Sequence, residues 1–294
     1  MTTQQTHRES SGLAALLQQV LARLRPGLRE MLLLGALYVA YSAARVLASG
    51  DRHPALDRAD GILAVERVLH LDVEHPLNAF LFDHRGWAVA ASFYYASAHY
   101  VVTPLVLLWL WRRHRAGYAA ARRALVVATL AALVIFVVDP TAPPRLVGYH
   151  DILATTADVG WWSTSASAPK GFGGITNQLA AMPSMHVGWA VWCALALRRH
   201  ASSRVGRSAG WVYAAATTIV VLATANHWTL DAVAGATIVA ATWVLLVPSD
   251  GSGPLEGRLS ARSRRSPNPP PGASAPLRRT VGPAIHRCRG ADGG

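Results

Sequence analysis

Two stretches decide how this chain must fold: Met182-Pro183-Ser184-Met185-His186 and Asn226-His227-Trp228-Thr229-Leu230-Asp231. Each opens a long apolar run, and an ionisable side chain at the mouth of an apolar helix is costly in lipid unless it has a partner or a task. In the second stretch the spacing predicts that His227 and Asp231, four residues apart, share one helix face. A carboxylate so placed can hold one imidazole nitrogen and raise the basicity of the other. In the first, Pro183 and Ser184 stand just ahead of the apolar run, where helices start. His186 then falls in the first turn, beside amides without an intrahelical partner and the positive end of the helix dipole. Two imidazoles flanking an anion site read as phosphate chemistry.

Composition sets the surroundings of these islands. Of 294 residues, 52% are hydrophobic and only 15% are charged, against about 25% charged in an ordinary soluble domain. The net charge of +12 does not read as a nucleic-acid surface, because the basic residues fall between apolar runs and not among aromatic residues on a common face. Cys193 lies inside an apolar run and Cys288 near the end of the chain, so neither a disulfide framework nor a metal-ligand spacing is present. No cleavable signal peptide is expected, since residues 1–30 are polar or amphipathic. The chain reads as an all-α, polytopic membrane protein.

Residues 13–25 repeat leucines and valine at helical spacing (Leu13, Leu16, Leu17, Val20, Leu21, Leu24) with Arg23 and Arg25 among them, the pattern of an interfacial amphipathic helix. Six spans are expected, at Met31–Ser49, Trp87–Trp111, Ala124–Val138, Pro183–Leu197, Gly210–Ala225 and Trp228–Val247. Several fall short of the ~20 residues of a full span and must extend into their flanks. Between the first two, seven acids and four arginines alternate with Ile62, Val65, Val68 and Leu69, and a surface helix is expected there. A polar, Pro- and Gly-rich stretch fills 139–182. This divides the chain into an amphipathic segment (1–30), a six-helix membrane domain (31–247) and a basic, Ser/Pro/Gly/Arg-rich tail (248–294), read as disordered.

Basic residues orient the bundle. The N-terminal segment, the 112–123 and 198–209 loops and the tail together carry 21 arginines, whereas the opposite loops carry six basic residues: Arg52, Arg58, Arg67, Arg85, Arg145 and Lys170. The positive-inside rule then puts both termini in the cytoplasm. It also puts His186, His227, Asp231 and Arg145 together on the extracytoplasmic face, although loop charge and site residues are independent features.

Arg145 closes the stiff turn Asp139-Pro140-Thr141-Ala142-Pro143-Pro144-Arg145, and a two-pronged guanidinium suits a phosphate. The competing reading is an arginine snorkelling to the interface. Arg45 and His99 lie within spans and are second-layer candidates, able to reach the cavity or to pair with each other or with Tyr94, Tyr95 or Tyr100. Asn226, next to His227, is a further supporting candidate. Trp161, Trp162 and Trp228 read as interfacial belt residues, and Gly235 as a close contact between helices.

Taken together, Pro140-Thr141-Ala142-Pro143-Pro144-Arg145, Ala181-Met182-Pro183-Ser184-Met185-His186 and Ala225-Asn226-His227-Trp228-x2-Asp231 resemble the three signature blocks of the type-2 phosphatidic acid phosphatase superfamily. The fuller text resembles its inositol phosphorylceramide synthase-like branch, over roughly residues 30–247. The resemblance implies a cofactor- and metal-independent phosphatase or phosphotransferase acting on lipid phosphates through a phosphohistidine. His227 would attack phosphorus, Asp231 would orient it and His186 would protonate the leaving oxygen. Arg145 and the amides near Ser184 and Met185 would hold the non-bridging oxygens.

The chain departs from the superfamily pattern at two places. Where many of its phosphatases carry Ser-Arg, with the Arg six residues before the nucleophilic His, this chain has Val220 and Val221, and the first block lacks its usual lysine. Arg45 is the expected substitute. Two rival readings remain: a metal site built from the two His and Asp231, which lacks a third histidine at ligand spacing, and a non-catalytic lipid carrier using the same cavity. No nucleic-acid partner is expected, and the sequence does not fix the oligomeric state.

Overall fold

The computed structural model describes residues 27–33, 35–36, 39, 52–164, 170 and 178–248. The amphipathic segment 13–25, most of the expected first span, Arg45 and the basic tail lie outside the described residues. From Arg52 onward the helices are α1 (Arg52–Val68), α2 (Glu74–Asp83), α3 (Arg85–Arg113), α4 (Arg115–Val138), the single turn α5 (Ile152–Thr155), α6 (Met185–His200), α7 (Arg204–Ala223) and α8 (Thr229–Leu246). A 3-10 turn covers Pro144–Leu146. Among the described residues there is no sheet, only an isolated bridge between Thr141 and Ala180.

Among the described residues four helices, α3, α4, α7 and α8, are long and apolar enough to cross a membrane. The expected fourth span is α6, and its 16 residues reach only about 24 Å at ~1.5 Å per residue. It packs against α3, α4, α7 and α8 at the centre of the helices. Three of the four long helices are longer than the apolar windows that announced them: α3 and α4 run on into the arginines either side of His114, and α7 begins at Arg204.

The core is built on small residues. Ala121, Ala124, Ala128 and Ala132 form a fully buried stripe along α4 at helical spacing, which lets neighbouring backbones approach closely. Trp192 fills the space this leaves, packed with Leu110, Phe136 and Val239 and donating its indole N–H to the Ala121 carbonyl at 2.8 Å. At the far end of α6, His200 lies 5.1 Å from His114, ring to ring. The two arginine-rich turns thus stand side by side, a helix length away from the Met185 end.

The helix expected in residues 50–86 is two helices, and its inward face differs from the one the large residues suggested. Val65, Val68 and Leu69 are exposed, while Ala55, Ala59, Leu63 and Glu66 are buried. The small residues win the inner position because α1 lies directly on the motif loops, against Ala142, Leu179, Ala181 and Trp228. Two of the expected belt tryptophans are also core residues. Trp162 and Trp228 are buried, and their N–H groups donate to the carbonyls of Leu153 (2.8 Å) and Ala142 (2.9 Å). Trp161 alone of the three is exposed.

Candidate active site

The helix starts carry the site. Ser184 caps α6, its hydroxyl accepting from the Val187 amide, which leaves Met185 and His186 in the first turn. At α8 the helix begins only at Thr229, so His227 and Asp231 do not share a helix face as their spacing predicted. They meet because Asp231 turns back over the helix start, where its Oδ2 accepts from the Trp228 amide at 2.9 Å. That same oxygen stands 3.5 Å from His227 Nδ1.

The shorter partner of His227 is a backbone group. Its Nδ1 lies 2.8 Å from the carbonyl oxygen of Ala181, which can only accept. Nδ1 therefore carries a proton. Nε2 faces Nδ1 of His186 at 3.2 Å. His227 and Asp231 are buried and His186 is half-buried. The result is an imidazole held from behind through Nδ1, with Nε2 turned toward a second imidazole.

His186 is held differently, by ring contacts. Tyr95 stacks on it at 4.7 Å, and buried His99 meets it edge-on at 4.4 Å. The structure thus places His99 directly against the ring of His186.

Arg145 reaches the site from the 3-10 turn. Its side chain is only 6% exposed and its Nε lies 3.6 Å from Asp151 Oδ2, so it is a buried cation and does not snorkel. One guanidinium nitrogen donates to Asn226 Oδ1 at 2.8 Å, and the backbone amide of Arg145 donates to the Ala225 carbonyl at 2.9 Å. Asn226 in turn donates to the carbonyl and hydroxyl oxygens of Thr224, which fixes which end of its amide faces the arginine. Ala225 sits at φ +55°, a conformation costly for a residue with a Cβ. These bonds hold it there, one residue ahead of the histidine block.

The two motif loops are locked together. The Ser184 amide donates to the Asp231 carbonyl at 2.9 Å, so this amide is committed to the fold, and the expected contact of Ser184 with an anion through it does not fit. The Met185 amide falls in the first turn of α6, where helix amides lack intrahelical partners. A Cβ on Gly235 would stand 2.0 Å from the Ser184 carbonyl oxygen, so only glycine permits this approach of α8. Val221, at the place of the pattern's arginine, is buried with Val187, Leu222 and Ala232. That position is apolar here, and no charge fits it.

A cleft of about 260 Å³ lies beside the motif loops, lined by Ile62, Val65, Thr141, Met182 and Leu230, with Arg58 and Asp139 also on its wall. Arg58 and Asp139 are ion-paired. Among the described residues no three His, Cys, Asp or Glu side chains converge as metal ligands would.

Reasoning from sequence missed three participants: the Ala181 carbonyl, and the carboxylates of Glu66 and Glu74. Both acids are fully buried. Glu66 Oε1 accepts from the Leu230 amide at 2.7 Å and Glu74 Oε1 from the Thr229 amide. A carbonyl has no side-chain signature, but Glu66 does have one. It continues the small-residue stripe Ala55, Ala59, Leu63 at helical spacing, an acid on the face that packs inward.

Apolar helices long enough to span a bilayer, joined at their ends by a buried histidine–histidine–carboxylate cluster, define a membrane-type helical protein with a polar site at the helix mouths. The chain belongs to the PAP2 superfamily, whose family model matches residues 60–245. No curated protein and no solved structure matches it.

Proposed function

We propose that this protein is an integral membrane phosphatase or phosphotransferase that acts on a lipid phosphate through a phosphohistidine. Members of the superfamily are generally phosphatases. The observation that carries the reading is the setting of His227, whose Nδ1 faces the Ala181 carbonyl while Nε2 faces His186. In the proposed reaction Nε2 attacks phosphorus, and the P–O bond to the leaving group breaks. The imidazolium of His186 delivers its proton to that oxygen. Asp231 and the Ala181 carbonyl stabilise the positive charge that develops on His227. Arg145, fixed by Asn226, and the Met185 amide hold the non-bridging oxygens. Water, or an alcohol in the manner of the inositol phosphorylceramide synthase-like branch, then meets the phosphohistidine, with His186 now taking a proton from the acceptor.

Six spans with both termini in the cytoplasm and the site on the opposite face fit this reading. The pairing of the two arginine-rich turns through His114 and His200, at the other end of α6 from His186, supports it. The cleft beside Met182 and Leu230 suits an apolar chain next to the phosphate. Purified protein incubated with a panel of lipid phosphates, with and without inositol or other alcohols, tests the chemistry. Released phosphate or a transferred head group is expected, together with an acid-labile phosphoprotein absent from His227→Ala. Full activity in His227→Ala sinks the covalent mechanism. External labelling of Val159→Cys but not Ala116→Cys, in a Cys288→Ser background, is expected for the orientation.

A further inference from the structure

The buried acids Glu66 and Glu74 belong to neither the phosphate pocket nor the histidine pair. They come from α1 and α2 and meet at the start of α8. Both are fully buried, and they accept from the consecutive amides of Thr229 and Leu230, which sets the two carboxyl groups beside one helix start. One oxygen of each accepts a helix-start amide, and Oε2 of each, buried, has no donor from the protein among the described residues. Two buried carboxylates, both ionised and acceptor-only, repel each other; a single proton between them removes the repulsion and supplies the missing donor.

We propose that Glu66 and Glu74 share one proton and act together as positioning residues, clamping the first two amides of α8 and so fixing the angle at which Asp231 and the Ala225–Trp228 turn present His227. The single negative charge left on the pair sits at the positive end of the α8 dipole. The tie is specific, because the clamped amides are those of Thr229 and Leu230, which separate Trp228 from Asp231. A shift of this first turn moves Asp231 Oδ2 off the Trp228 amide and away from His227 Nδ1. Burial first, and then the negative charge of Glu74, push Glu66 up to about 8; burial pushes Glu74 up as well, against a contact with Glu66 that pulls it the other way. The titratable groups facing the pair are Asp231 from α8 and Tyr149, whose hydroxyl donates to Asp72. Asp72 is itself near Arg67, and His75 lies edge-on to the Tyr149 ring.

This role rests on the phosphohistidine reading, but one of its tests does not. Infrared spectroscopy of the full chain in nanodiscs should show a protonated-carboxyl stretch at pH 7 that titrates away near pH 8 and is lost in both Glu66→Gln and Glu74→Gln. Glutamine mimics the protonated member of the pair, so each of these variants should keep kcat within about twofold. Glu66→Ala and Glu74→Ala, which remove a cap, should keep KM and lose about tenfold in kcat per folded molecule. A wild-type spectrum without the band, or a band surviving in both Gln variants, overturns the shared proton whether or not any variant folds poorly. Wild-type kcat in the two Ala variants overturns the positioning role. If His227→Ala is fully active the phosphohistidine mechanism fails, while the infrared result still decides the shared proton.

Discussion

The turn that carries His227 and the turn that carries His186 are held by different kinds of force. His227 is pinned by directional bonds: Ala181 behind its ring, Arg145 on Ala225 and Asn226, Asp231 on the Trp228 amide, and the two buried glutamates at the helix start. His186 sits on a well-capped helix, and its half-exposed ring is packed between Tyr95 and His99. A nucleophile loses rate steeply with misplacement, because its lone pair must line up with the bond being broken. A proton donor must follow the leaving oxygen and later the incoming one, so packing that permits a small swing suits it. The rigid turn and the looser ring therefore match two separate demands of the proposed reaction.

The largest effects should come from removing either ring. His227→Ala and His186→Ala are each expected to lower kcat by about a thousandfold or more, and the double variant little further, because the two act as a unit. Additive losses in steady-state kinetics would mean that the two turns work independently.

Next come the bonds that stiffen the nucleophile turn. Arg145→Lys keeps the charge but loses the fork that serves Asn226 and a phosphate together, and about a tenfold loss in kcat/KM is expected. Arg145→Ala should lose more. Asn226→Ala should resemble Arg145→Lys, since it frees the same guanidinium. If it behaves as wild type, Arg145 is positioned without its neighbour, and the contrast between the two turns weakens.

How much of this contrast could be read from the chain follows from where each force originates. The apolar runs, the helix start at Ser184 and the grouping of His186, His227, Asp231 and Arg145 were legible, because they depend on side-chain type and spacing. The same spacing misled where the backbone intervened. His227 and Asp231 looked like a helix-face pair, yet the helix starts between them at Thr229, and Asp231 acts as a cap. Ala181 contributes only a carbonyl, which every residue has. Glu66 and Glu74 looked like members of a solvated charge run, and what buries them is a long-range fit of α1 onto α8 and of α2 onto α7, from which both acids reach the amides at the start of α8.

That burial should be measurable as a stability that depends on pH. Glu66 binds its proton more tightly folded, at about 8, than it does unfolded, near the usual ~4.3 of a glutamate. Between those two values the folded state holds more protons than the unfolded one, so stability falls as pH rises. It is fully present below the unfolded value and is lost through pH 8. Thermal unfolding of the detergent-solubilised protein should accordingly show Tm decreasing by a few degrees from pH 5 to pH 8. The slope should flatten in Glu66→Gln, which cannot titrate. An unchanged slope would locate the titration elsewhere and leave the His227 turn without its acidic clamp.

The smallest expected effect concerns the ring that His186 leans on. Tyr95 stacks on the imidazole at 4.7 Å with the planes tilted by 28°, and such a contact is worth ~0.5–1.5 kcal/mol beyond the area it buries. Only a part of that appears in the transition state, since the ring must also be free to swing. Tyr95→Leu, which keeps the bulk but not the flat face, should therefore lower kcat by about threefold. Tyr95→Phe keeps the face and should hold kcat close to wild type. If Tyr95→Phe falls as far as Tyr95→Leu, the hydroxyl and not the ring face positions His186, and the donor is held by a directional bond much as the nucleophile is.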